Sequence, residues 1–158
     1  MDSMAKLFTE RAKNELKIAE VLLRLSEDKE EKKSFDIREN MTFYSGAIAH
    51  AYYCIFYSAK AILATKNIKT SAPEIHKKTF DSFKKHFVDT GIIDAELLKI
   101  YRSMIIRADD LLEIFSIEKS KRGDFTYKTI PQANKKPAEE SLKNAQTFAT
   151  NVFKIISS

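Results

Sequence analysis

Along most of this chain apolar residues recur at intervals of three and four, and that spacing predicts α-helices. From about Ser3 to Leu25, the residues Phe8, Ala12, Leu16, Ala19 and Leu23 share one face. The pattern gives way to a highly charged connector between about Ser26 and Glu39. A second helix is predicted from about Asn40 to Lys66 and is apolar nearly all round. Such a helix is the central element of a bundle, or one that also meets a partner chain. Its small residues Gly46, Ala47, Ala49, Ala51, Ala59 and Ala61 permit close helix approach, and Asn67 supplies a stop. Ser71-Ala-Pro-Glu74 reads as a capping box with an early-turn proline, so a shorter third helix starts near Ala72 and ends before Gly91. Ile75, Phe80, Phe83 and Phe87 form its apolar face. In the fourth helix, from near Asp94 to Ile117–Ser120, Leu97, Tyr101, Met104, Ala108, Leu111 and Phe115 alternate steps of four and three. A loop from Ser120 to Lys136 follows, and the last helix starts at about Pro137 with Ala138, Leu142, Ala145, Ala149, Val152 and Ile156 in the same rhythm.

Long helices with short connections pack antiparallel. The expected fold is therefore all-α: an up-down bundle of four main helices with the shorter third helix as an accessory. The chain has 158 residues, which fits one domain over 1–158. Three Gly and three Pro supply too few turns for a sandwich or barrel. The single Cys54 excludes an intramolecular disulfide and a cysteine-based zinc site.

Charge changes the picture in one place. The formal net charge is +5 and the pI about 9.2. Residues 117–137 hold six bases (Lys119, Lys121, Arg122, Lys128, Lys135, Lys136) against Glu118 and Asp124, a local excess of +4. That excess reads either as a solvated loop or as an anion or phosphate site. Residues 41–64 carry one formal charge, Lys60, over a length that could span a membrane. The same segment holds Thr42, Ser45, Gly46, His50, Ser58 and four tyrosines, so burial within protein is expected and no membrane association. The charged stretch Met1–Arg11 has no apolar signal core, and the expected compartment is the cytoplasm.

Familiar catalytic patterns are missing. No Gly-rich phosphate loop, no His pair at metal spacing and no Glu-x-x-His occurs, so no metal or cofactor is implied. The most distinctive stretch is Arg122-Gly-Asp-Phe-Thr-Tyr127. Arg122 with Lys121 can grip phosphate, and Tyr127 can stack on a base or donate a hydrogen bond. The plainer reading pairs Arg122 with Asp124 or Glu118 and uses Phe125 and Tyr127 to plug the loop onto the bundle. Arg107 lies on or beside an apolar stripe with Asp110 at i+3. It suits a buried ion pair, or a phosphate-facing role shared with Arg122. Tyr44, Tyr52, Tyr53 and Tyr57 follow helical spacing and suit core or dimer contacts, and His50 and His76 suit hydrogen-bonded packing.

The stretch Ser45-Gly-Ala-Ile-Ala-His-Ala-Tyr-Tyr-Cys-Ile-Phe-Tyr-Ser-Ala-Lys-Ala-Ile-Leu63 resembles the signature helix of the HEPN domain family. Ile75-His76 followed by Phe80, Phe83 and Phe87 is similar to that family's next helix. The Arg122 loop and a final helix with Ala145, Phe148 and Val152 continue the likeness, which runs from roughly Phe8 to Ile156. The resemblance implies a helical bundle, usually a homodimer. It also implies a role as an RNA-cleaving toxin or as a non-catalytic nucleotide- or RNA-binding unit. A minimal nucleotidyltransferase acting as antitoxin is a frequent partner in that family.

The catalytic form of the family carries His four to six residues after an Arg. Here the matching Arg is Arg122, the residue after four intervening positions is Tyr127, and no His follows His86. A phenol with pKa about 10 moves protons poorly near pH 7, where imidazole does so well. The reading is therefore a non-catalytic nucleotide- or RNA-binding or partner-docking module of a toxin–antitoxin or nucleotidyltransferase-associated system. In it Lys121, Arg122, Asp124, Tyr127 and Arg107 form the phosphate site, with no catalytic residue. The alternative is a metal-independent ribonuclease toxin with an altered site, in which Tyr127, His50 or His76 replaces the missing His. A purely structural dimerisation module is the third reading.

Overall fold

A computed structural model describes residues 2–112 and 134–158. Among them are six α-helices and no strand. The helices are α1 (Ser3–Glu27), α2 (Lys29–Ser34), α3 (Tyr44–Ala64), α4 (Ile75–Phe83), α5 (Ala95–Leu112) and α6 (Lys135–Ser157). A π-helical turn, Lys84–Val88, continues α4. The four long helices α1, α3, α5 and α6 form the expected up-down bundle. Three contacts fix the antiparallel pairing of α1 with α3: Arg11 with Tyr57, Glu15 with His50, and Ser26 with Phe43. On α5 and α6, Tyr101 meets Phe148 while Arg107 meets Ser141, so that pair is antiparallel too.

The centre of the bundle is α3, which packs on α1, α4, α5 and α6. Tyr52, Ile55, Ile62 and Leu63 are fully buried on it, together with Ile48 near its start. This helix is long and apolar enough to cross a membrane by length and composition, with mean hydropathy 1.2, and 72% of that stretch is buried inside the fold. Its all-round apolarity thus has protein neighbours on most sides. The longest shared interface is with α1, where Ala5, Ala12 and Ala19 are fully buried. Gly46 allows the closest approach: a Cβ there would lie 2.9 Å from Leu22 Cδ1. A second aromatic knot joins α4, α5 and α6, with Phe83, Tyr101 and Phe148 at mutual ring distances of 5.4–5.6 Å.

Several local expectations are corrected. The charged connector contains a helix, α2, because Asp28 caps it by accepting from the backbone N–H of Glu30 and Glu31. Glu30 and Glu31 in its first turn and Lys32 and Lys33 in its last complement the helix dipole. The start of α3 falls at Tyr44 and not near Asn40, because the Phe43 N–H donates to Ser26 Oγ at 2.7 Å. No capping box forms at Ser71–Glu74: Glu74 takes a left-handed φ of 56° with no side-chain cap, and α4 begins only at Ile75. Pro73 therefore precedes the helix. By contrast α5 opens as expected, with Asp94 Oδ1 accepting from the Glu96 N–H at 2.8 Å. Asn67 and Gly91 both adopt positive φ at the chain turns that follow α3 and the π turn. The first residue of α6 is Lys135, two before Pro137, which sits harmlessly in the first turn. The expected continuation of α5 to Ile117–Ser120 lies outside the described residues.

Candidate functional site at the α5–α6 junction

Arg107 is the sequence-selected cation that the structure describes, and it bridges two helices. Its guanidinium donates to Pro137 O at 3.1 Å and to Ser141 Oγ at 2.9 Å, and it meets Glu140 at 3.4 Å. Ser141 Oγ in turn donates to Pro137 O at 2.7 Å. The fork of donors on a planar guanidinium serves one carbonyl, one hydroxyl and one carboxylate at once. It thereby pins the last turns of α5 to the first turns of α6. These two helix ends frame residues 113–133. Lys135 adds a tie across the same end of the bundle, to Glu27 of α1 at 2.7 Å. Two residues after Arg107, Asp109 is fully buried and adds its negative field to Tyr52.

Lys121, Arg122, Asp124 and Tyr127 lie outside the described residues. Glu139 and Glu140 fall in the second turn of α6, where Glu140 pairs with Arg107.

The remaining candidates sit on α3 and α4, apart from Arg107. Tyr52 is fully buried; its hydroxyl is 2.8 Å from His76 Nδ1, and burial pushes the phenol far above its usual range. His76 packs on Phe56 with ring centroids 4.4 Å apart, and also on Tyr52 and Tyr53. Burial, with a smaller contribution from Lys60, lowers its pKa. His50 bonds through Nδ1 to Glu15 across the α1–α3 interface. Tyr57 receives the Arg11 guanidinium twice, as a 2.7 Å hydrogen bond to its hydroxyl and as a cation over its ring at 4.2 Å. Tyr53 is half-buried between Tyr52 and Tyr57.

Sequence reasoning did not find Glu15, Ser141, Glu140 or Arg11. Each partners its residue across a helix–helix interface, and periodicity along one helix cannot register such pairs. Among the described residues no group of three His, Cys, Asp or Glu could hold a metal ion.

Comparison with known proteins bears on what this arrangement is for. Over 113 residues the chain is 31% identical to "Putative toxin MJ0605" of Methanocaldococcus jannaschii, a match spanning 72% of this chain and 71% of that one. The chain belongs to the family of that archaeal protein. A second M. jannaschii protein, "Putative toxin MJ0142", is 37% identical over 70 residues, 42% of this chain and only 46% of the relative's length. A Thermotoga maritima protein named "UPF0332 protein" is 26% identical over 110 residues, 70% of each chain. No family model matches the chain, and no solved structure matches it. Two proteins named as putative toxins thus match the chain, and Arg107 tethers the helices on either side of residues 113–133.

Proposed function

We propose that the protein is a HEPN-type, non-catalytic member of this toxin-named family that binds nucleotide or RNA phosphate through its 117–137 segment. The observation that carries the reading is the similarity to MJ0605 over 72% of the chain, combined with an Arg122 that has no following His. Lys121 and Arg122 hold phosphate, Tyr127 stacks on a base or donates to it, and Asp124 orients Arg122. Arg107 supports the site from α5 by tying the end of that helix to Pro137 and Ser141 of α6. A proton-transfer step is left without a suitable group, since tyrosine is a poor acid or base near pH 7.

The working unit is a single-domain cytoplasmic homodimer, which docks a minimal nucleotidyltransferase in a toxin–antitoxin pair. Within the chain α3 is already covered on most sides, so the dimer draws on α5, where Ile106 is 58% exposed. The second reading is a metal-independent ribonuclease toxin, and the names of the M. jannaschii relatives favour it.

RNA retention by the purified protein at low salt tests the first reading. Binding should weaken steeply as salt rises, and Arg122→Ala should reduce the logarithmic salt slope by about 1. Retention by Arg122→Ala with an unchanged slope contradicts the assigned site. Growth arrest on expression, relieved by Arg122→Ala, would favour the ribonuclease reading.

A further inference from the structure

At the opposite end of the bundle from the α5–α6 junction, a cavity of about 330 Å³ lies between the start of α1, the end of α3 and the segment after it. Met4, Phe8, Ala64 and Ile68 supply apolar wall. Lys60 supplies an ammonium at the end of an otherwise apolar helix. The volume falls in the range of small-molecule sites, and an apolar wall with one or two placed polar groups is their usual make-up.

The setting of Lys60 points to its ligand. Its Nζ has three protons to donate. One goes to Thr70 O over 3.3 Å, and no carboxylate among the described residues lies within ion-pair distance of it. The charge is instead held against the faces of Phe8 at 4.8 Å and Phe56 at 5.7 Å. Ring faces attract a cation but accept its protons weakly. Burial, together with the nearby Arg11, lowers the Lys60 pKa, so the ammonium is held at some cost. Asp2 and Lys69 also line the cavity and offset one another in charge. Lys60 is left as the net positive group.

We propose that this cavity binds a small amphipathic anion, an aryl or branched-alkyl body carrying a carboxylate, phosphate or sulfonate head, with the head on Lys60 Nζ and the body against Phe8, Ala64 and Ile68. The lining residues named here all lie outside 113–133 in the chain, and the proposal stands whether or not that segment binds RNA.

Anilinonaphthalene sulfonate is the probe, with phenylnaphthylamine, the same kind of body without the sulfonate, as its neutral counterpart. Fluorescence titration of the folded full chain should show saturable one-to-one binding of the sulfonate. Lys60→Met keeps the stem and removes the charge. It should weaken sulfonate binding about tenfold or more and leave the neutral probe within about twofold. Equal sulfonate affinity in wild type and Lys60→Met would overturn the proposal and leave Lys60 as a tie to Thr70 alone. Methyl NMR of the unaltered protein gives a test that needs no variant. The probe should shift the Ala64 and Ile68 methyls first, and shifts confined to other residues would contradict the assignment.

Discussion

The Cys54 thiol shows how burial alone settles the chemistry of a residue. It is fully enclosed on α3, and burial pushes its pKa up to about 12. The thiolate is the nucleophile, so the native protein should not react with Ellman's reagent at about pH 8, and one equivalent should react on unfolding in guanidinium. Fast reaction of the native protein would mean that α3 is not the closed core helix. His76 makes a second residue-scale case. Burial lowers its folded pKa below the ordinary 6.5. The unfolded chain then binds the proton more readily than the native one. Stability from this group is complete above about pH 6.5 and falls as the pH drops toward the lower folded value. Melting temperature should therefore decline from about pH 7.5 to about pH 5.5 more steeply in wild type than in His76→Gln. Identical slopes would remove His76 from the account. At this scale the sequence is partly legible. The tyrosines and histidines of α3 and α4 stand out by spacing, but their partners do not. Glu15 for His50 and Arg11 for Tyr57 come from α1, 35 and 46 residues away in the chain.

Helix identity at the element scale follows from periodicity, whereas helix ends follow from local hydrogen bonds that periodicity does not see. The long helices were legible because stripes such as Leu97, Tyr101, Met104 and Ala108 on α5 have one side to bury. The short α2 was not, because it has almost no apolar stripe and depends on Asp28 and on its charge order. The Ser71–Glu74 motif has the letters of a capping box, yet the left-handed backbone of Glu74 prevents the reciprocal bonds. The α5–α6 tether was legible only as an unusual cation on an apolar stripe. Replacing Arg107 with Ala removes the guanidinium donor to Ser141 Oγ at a partly buried junction, while Pro137 O keeps Ser141 as its donor. The expected cost is about 1–3 kcal/mol, read as a lower urea midpoint at unchanged m-value. Faster amide exchange should appear in the first turns of α6 and not in α1. A midpoint unchanged by Arg107→Ala would show that the two helix ends are held by other contacts.

For the whole molecule, the up-down bundle was legible from four long amphipathic stretches with a nearly all-apolar member among them. That member is satisfied at the centre, where α1, α4, α5 and α6 pack on it. The candidate functional end was less legible. Its most distinctive residues fall within 113–133, outside the described residues, and the joining of the flanking helix ends by Arg107, with Lys135 reaching α1, is tertiary. Similarity to a protein named a putative toxin supplies the biological context, and in the proposed reading the absence of a His after Arg122 makes binding, not cleavage, the expected chemistry. These two facts pull in different directions, and one experiment decides between them. It is an RNA-cleavage time course with purified wild type and Arg122→Ala, with RNA retention followed in the same samples at low salt. The account predicts RNA that stays intact and is retained by the wild type far more than by the variant. RNA cleaved by the wild type and spared by Arg122→Ala would contradict it and make the segment an active nuclease site without its His.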